Sequence, residues 1–148
     1  MFNRRYFDER VFCYNINLEL GEEVVFIMSD LKNFKVINDT YGHAVGDWVL
    51  IRSAQTMNSC VRNSDSVIRI GGDEFLIVLR KCNISVAERI IEQIKEKMKD
   101  EVIYDKNNGK YAVANFGMAY NPAFYCEEDK IVQMLAEADK KMYINKNS

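Results

Sequence analysis

The sequence predicts an α+β sandwich of ferredoxin-like type, a central, mainly antiparallel sheet flanked by helices, and three observations predict it. Helical patterns alternate with strand patterns in the order α, β, α, α, β-hairpin, α, β-hairpin, α. Val24-Val25-Phe26-Ile27-Met28 is an apolar run too short for a helix, which reads as a strand buried on both faces. Two further apolar runs, Ser66–Ile70 and Phe75–Leu79, flank Gly71-Gly72, and glycine accepts the positive φ of a two-residue hairpin turn. In this topology the third strand lies antiparallel beside the first, so Asp30 and Asp73 meet at one edge of the sheet.

Taken in order, Asn3–Leu18 reads as an amphipathic helix, with Phe7, Val11, Tyr14 and Leu18 on one face and Gly21 after it. The first strand ends in Ser29-Asp30, and a short helix follows over Phe34–Thr40, stopped by Gly42. Gly46-Asp47 opens a long helix to about Arg62, with Leu50, Ala54, Met57 and Val61 at helical spacing. After the hairpin, Ser85-Val86-Ala87-Glu88 reads as a capping box before Ala87, Ile91, Ile94 and Met98. Val102–Tyr104 and Lys110–Tyr120 bracket Asn107-Asn108-Gly109 as a second hairpin that Pro122 ends. The last helix starts in acid (Glu127, Glu128, Asp129) and finishes in base (Lys140, Lys141, Lys146), which suits the helix dipole.

Composition narrows the function. The chain has 148 residues, enough for one domain with a sizeable core, and its 48% hydrophobic content marks it as globular. A net charge of −2 argues against a nucleic-acid surface, and no apolar run approaches a membrane span. Cys13, Cys60, Cys82 and Cys126 form no CxxC pair and have only His43 to join them, so zinc is not expected. Reduced thiols in a cytoplasmic domain are.

The hairpin tip carries the chemistry. Asp73 and Glu74 are adjacent carboxylates where β-propensity disfavours both. With Asp30 beside them they can hold Mg²⁺, which binds through one or two carboxylates plus substrate phosphates. A solvated acidic turn fits the same residues. Lys35 follows Asp30, and the N–H groups opening the next helix can receive a phosphate. Asn38 and Asp47 offer the amide and carboxylate that a guanine edge needs; equally, Asn38 is a turn residue, Asp47 a helix N-cap and His43 a structural histidine.

Asp30-Leu-Lys-Asn-Phe-Lys-Val-Ile-Asn-Asp-Thr-Tyr-Gly-His-Ala-Val-Gly-Asp47 followed by Arg69-Ile-Gly-Gly-Asp-Glu-Phe75 closely resembles the GGDEF domain of diguanylate cyclases. The likeness extends back to Asn3–Phe7 and on through Ala114–Ala119 to Ala138-Asp139 and Tyr143–Lys146, so it spans the chain. It implies a palm-like nucleotidyl-cyclase fold that joins two GTP into cyclic di-GMP and releases two pyrophosphates. By position, Asp30, the Leu31 carbonyl and Asp73 match the ligands of Mg²⁺, with Mn²⁺ a substitute. Asp73 also matches the general base for the ribose 3′-hydroxyl, with Glu74 contributing. Asn38 and Asp47 match the guanine-reading pair and His43 a substrate contact. Lys35 and Lys146 match phosphate-binding lysines, and the backbone around Phe34 and Gly71 lines the phosphates. Arg62-Asn-Ser-Asp65 has the spacing of the family's inhibitory site for product; a helix-end arginine and a turn aspartate are the plain alternative.

Three departures from the family pattern shape the expectations. Lys32 stands where a second aspartate is common, the chain starts after the usual N-terminal Asp-x-Leu-Thr-Gly, and it stops short of the Gly-Arg-Asn that follows the matching lysine. It therefore reads as one GGDEF domain over residues 1–148, excised from a longer chain with a sensory or phospho-acceptor module and any membrane anchor elsewhere. Low activity alone and a transient homodimer are expected. The rival expectation is a catalytically weak module that binds GTP or cyclic di-GMP.

Overall fold

The computed structural model describes residues 21–125 and 127–146. β1 (Glu22–Leu31) leads into α1 (Phe34–Tyr41) and α2 (His43–Ser59), then the hairpin of β2 (Ser66–Gly71) and β3 (Glu74–Arg80). α3 (Ile84–Glu101), β4 (Ile103–Asp105), β5 (Lys110–Tyr111), β6 (Ala114–Phe124) and α4 (Glu128–Lys146) complete the order. The main sheet runs β2-β3-β1-β6, with every adjacent pair antiparallel. This is the expected ferredoxin-like arrangement, and β1 lies at its centre beside β3. The helix expected over Asn3–Leu18 lies outside the described residues.

Alternation along β1 divides the core in two. Val25, Ile27 and Leu31 join Phe75, Ile77, Leu79 and Phe116 under α1–α3. Val24, Phe26 and Met28 join Leu76, Val78 and Ala119 under α4, through Ile131, Leu135, Ala138 and Met142. Burial on both faces explains the unbroken apolar run: each such side chain removed from water contributes about 1.5–3 kcal/mol. At the start of β1, Arg80 donates to both oxygens of Glu22 at 2.9 Å, neutralising a buried carboxylate. Gly117 in β6 lets α4 press onto the sheet; a Cβ there would lie 2.1 Å from the Met142 nitrogen and 2.2 Å from the Ala138 carbonyl oxygen.

Four boundaries differ from expectation. α2 opens at His43 because Gly42, at φ 94°, breaks the chain for only one residue. Asp47 is thus inside the helix, and the N-cap alternative for it falls away. At its other end α2 stops at Ser59 rather than near Arg62, where the chain turns to bring Arg62 back onto Asp65. α3 is capped by Asn83, whose side chain accepts from the Val86 N–H at 2.9 Å, so Ser85 sits within the helix and is not the cap. Lys110–Tyr120 is not one strand: β5 pairs with β4 in a small separate sheet, and β6 crosses to β1 and runs through Pro122 to Phe124. Pro122 is tolerated because β6 is an edge strand whose register shifts opposite Glu22–Val24.

Candidate active site

The end of β1 carries the site. On the face covered by α4, Asp30 has Glu74 of β3 as its cross-strand partner on one side and Asn115 of β6 on the other. One rung of the sheet therefore reads amide, carboxylate, carboxylate. The hairpin tip folds over it: Gly72 has φ 54°, a positive value that glycine adopts without strain, and Arg69 Nε donates to the Gly72 carbonyl at 2.9 Å. The Leu31 N–H donates to the Asp73 carbonyl at 3.3 Å, tying the tip to the strand end. Lys146, on the last turn of α4, places Nζ 3.3 Å from Asp30 Oδ2, while Asn115 Nδ2 donates to Asp30 Oδ1 at 2.9 Å. Asp30 is 7% exposed, and both its oxygens are held.

This crowding of acids raises proton affinity. Burial pushes the Asp73 carboxyl above its usual range, and the charge of Asp30 adds to the effect. Burial, then repulsion from Asp139, Asp73 and Asp30, pushes Glu74 up to about 7. A carboxyl whose folded pKa exceeds its unfolded value keeps an extra proton in the native state between the two. Stability of the metal-free protein therefore falls as pH rises from about 4.5 to about 7 and levels off above that window. For the half-buried Glu74 the loss is about 1–2 kcal/mol after solvent screening. Glu74→Gln should flatten that part of the profile in urea melts run with chelator; a slope equal to the parent's would place the titration elsewhere.

The donor set suits a hard cation. Among the described residues no three histidine, cysteine or carboxylate side chains form a ready cage. Asp30 and Asp73 with the Leu31 carbonyl are instead the oxygen donors that could hold a divalent cation, a sparse set of the kind a hard cation would complete with other oxygen ligands. The ammonium of Lys146 against the buried Asp30 marks the spot as one that attracts positive charge.

A second group lies along α1. Asn33 precedes the helix at φ 58° and no side chain caps it, which leaves its first N–H groups, from Phe34 on, available to an anion. Lys35 and Asn38, one turn apart, share a face of α1. The Asn38 side chain fills the place of a side chain at Gly46, where a Cβ would lie 1.7 Å from Asn38 Oδ1. Asn38 is thereby pressed against the first turn of α2, which also bears the exposed His43 and Asp47. Tyr41 donates to Asp105 at 2.7 Å and anchors the far end of α1 on the small sheet. Lys32 is exposed just beyond Leu31, and its N–H donates to the Val113 carbonyl at 2.7 Å.

Arg62 and Asp65 stand apart, at the opposite end of β3 from Glu74 and about 20 Å along the strand. Asp65 Oδ2 accepts from the Arg62 N–H and Nε, both at 3.0 Å, and Oδ1 accepts from Arg62 Nη2 at 3.2 Å and the Arg80 N–H at 2.9 Å. With its side chain 0% exposed, Asp65 spends its oxygens on holding Arg62, whose side chain is 54% exposed and whose Nη2 also donates to the Arg80 carbonyl. Asn115 lies within the Ala114–Ala119 stretch that shares the resemblance, but the sequence gives it no role; the β1–β6 register puts it opposite Asp30.

Comparison with known proteins assigns the chain a family. The family model described as "Diguanylate cyclase, GGDEF domain" matches residues 1–148. The chain belongs to that family. Diguanylate cyclase A of Treponema denticola is 34% identical over 141 residues, covering 95% of this chain and 37% of that protein. Diguanylate cyclase VdcA of Vibrio cholerae is 27% identical over 147 residues, covering 99% and 42%. The chain thus spans about two-fifths of the length of these relatives. Among solved structures, diguanylate cyclase SiaD of Pseudomonas aeruginosa, crystallised with its activator SiaC, superimposes with a TM-score of 0.74 at 28% identity, over 84% of this chain and 46% of that one. The GGDEF domain of YfiN from the same organism gives 0.72 at 31%, over 94% and 83%.

Proposed function

We propose that this chain is a diguanylate cyclase catalytic domain in which two copies, each holding one GTP, form cyclic di-GMP in a transient homodimer. The observation that carries the reading is the convergence of Asp30, Asp73, Glu74 and Lys146 at the end of β1, beside a helix whose first N–H groups no side chain caps. Asn38 and Asp47 read the guanine edge and His43 contacts the nucleotide. The N–H groups near Phe34 and Gly71, with Lys35 and Lys146, take the phosphates, where fixed positive charge favours the developing negative charge. Asp73, its proton affinity raised by burial, accepts the ribose 3′-hydroxyl proton, and Glu74 shares that load. The 3′-oxygen bonds to the α-phosphorus of the facing GTP while the bond to pyrophosphate breaks; the reciprocal step closes the ring. Asp30, the Leu31 carbonyl and Asp73 would hold Mg²⁺ or Mn²⁺, which when bound activates the attacking hydroxyl and stabilises the leaving oxygen.

Arg62, held in place by Asp65, reads product guanine and slows turnover, and modules outside this chain bring two copies together. Among the described residues no helix is long and apolar enough to cross a membrane, and we place the domain in the cytoplasm. A second reading, a binding module without turnover, draws on Lys32, a cation one residue past Leu31. Incubation at high protein concentration with GTP and Mg²⁺, followed by chromatography, separates the two. Cyclic di-GMP should form and added product should slow the parent but not Arg62→Ala. GTP bound without conversion at any protein concentration would favour the module.

A further inference from the structure

We propose that Asn115 is a positioning residue of the metal site, its amide fixing the plane of the Asp30 carboxylate that would bind the cation. The assignment rests on the metal reading above. Asp30 and Asn115 are register partners on adjacent strands, so their side chains leave the sheet side by side on the α4 face. Asn115 Nδ2 lies 2.9 Å from Asp30 Oδ1, and Lys146 Nζ lies 3.3 Å from Oδ2. The two donors differ in kind. Lys146 is a long, flexible side chain, 49% exposed, and its ammonium can leave for a phosphate. The Asn115 amide sits one methylene from a backbone paired to β1 and has no comparable reach. When positive charge arrives from another source, Asn115 is the donor that stays.

The surroundings hold Asn115 itself. The next residue, Phe116, has its carbonyl capped by Asn145 Nδ2 at 2.7 Å, and Gly117 meets the α4 backbone directly. β6 therefore reaches Asp30 twice, through the amide of Asn115 and through the helix end that carries Lys146. An amide is also the right chemistry. It satisfies one lone pair of a buried carboxylate, leaves the others for a cation, and adds no charge to a rung that already holds Asp30 and Glu74. Groups that orient a ligating carboxylate are commonly worth tenfold or more in metal affinity.

The test reads binding, not turnover. The parent, Asn115→Ala and Asn115→Ser are titrated with Mn²⁺ in the presence of a GTP analogue with methylene between its α- and β-phosphorus atoms, and free Mn²⁺ is followed by its paramagnetic resonance. Asn115→Ala should weaken Mn²⁺ binding about tenfold, whereas Asn115→Ser, which restores a donor, should stay within about threefold of the parent. Thermal midpoints are recorded alongside; should the alanine variant not fold, Asn115→Val, a good strand former, takes its place. Equal affinity in parent and alanine variant overturns the assignment alone. Equal loss in alanine and serine variants overturns the donor role and leaves packing. A parent that binds the analogue but takes up no Mn²⁺ overturns the metal reading and this assignment with it.

Discussion

Asp73→Asn should leave the protein folded and lower cyclic di-GMP formation by at least about a thousandfold. The amide keeps the shape of the side chain at the hairpin tip, so the turn at Gly72 and the Leu31 bond to the Asp73 carbonyl persist. What goes is charge. In the proposed mechanism one carboxylate serves as both metal ligand and proton acceptor, and proton transfer alone is commonly worth a hundred- to ten-thousandfold. The native state loses nothing comparable, because burial and Asp30 already disfavour an ionised Asp73. The melting temperature of the metal-free variant should therefore equal or exceed the parent's above neutral pH. Product formation and a thermal melt on the same sample check both halves. A variant that turns over at the parent's rate would remove Asp73 from the chemistry.

Gly117→Ala should destabilise the fold strongly. The added methyl would meet the Met142 nitrogen and the Ala138 carbonyl oxygen far inside van der Waals contact, and both are helix backbone that no rotamer can move. α4 must shift away from β6 and from the apolar face of β1 that it covers. A cost of about 3 kcal/mol follows, the upper part of the range for overpacking, and the melting temperature should fall by roughly 10 °C. The same shift carries Lys146 off Asp30, so the variant should also bind GTP more weakly. A melt within a degree or two of the parent's would mean that α4 rides farther from the sheet than described.

Much of this was legible from residue pattern. An apolar run of strand length at Val24–Met28, a glycine pair between apolar runs and the expected strand order suffice to bring Asp30 and Asp73 to one edge, and the register bears this out. Local readings failed where tertiary contacts override them. Gly46 resembles a helix start, yet it is a glycine because Asn38 lies against it. Pro122 resembles a strand end, yet an edge strand with a register shift runs through it. Asn115 carried no local signal, since its meaning depends on a strand pairing distant in the sequence.

The docking of the last turn of α4 against Asp30 also bears on how the protein can be handled. A fluorophore or affinity tag joined after Ser148 is tethered only two residues from the lysine that touches the buried acid. Cargo there would crowd the proposed nucleotide site. A label on the exposed side of α3, at Glu92 or Glu96, sits on a helix that packs beneath the opposite face of the sheet and leaves the site undisturbed.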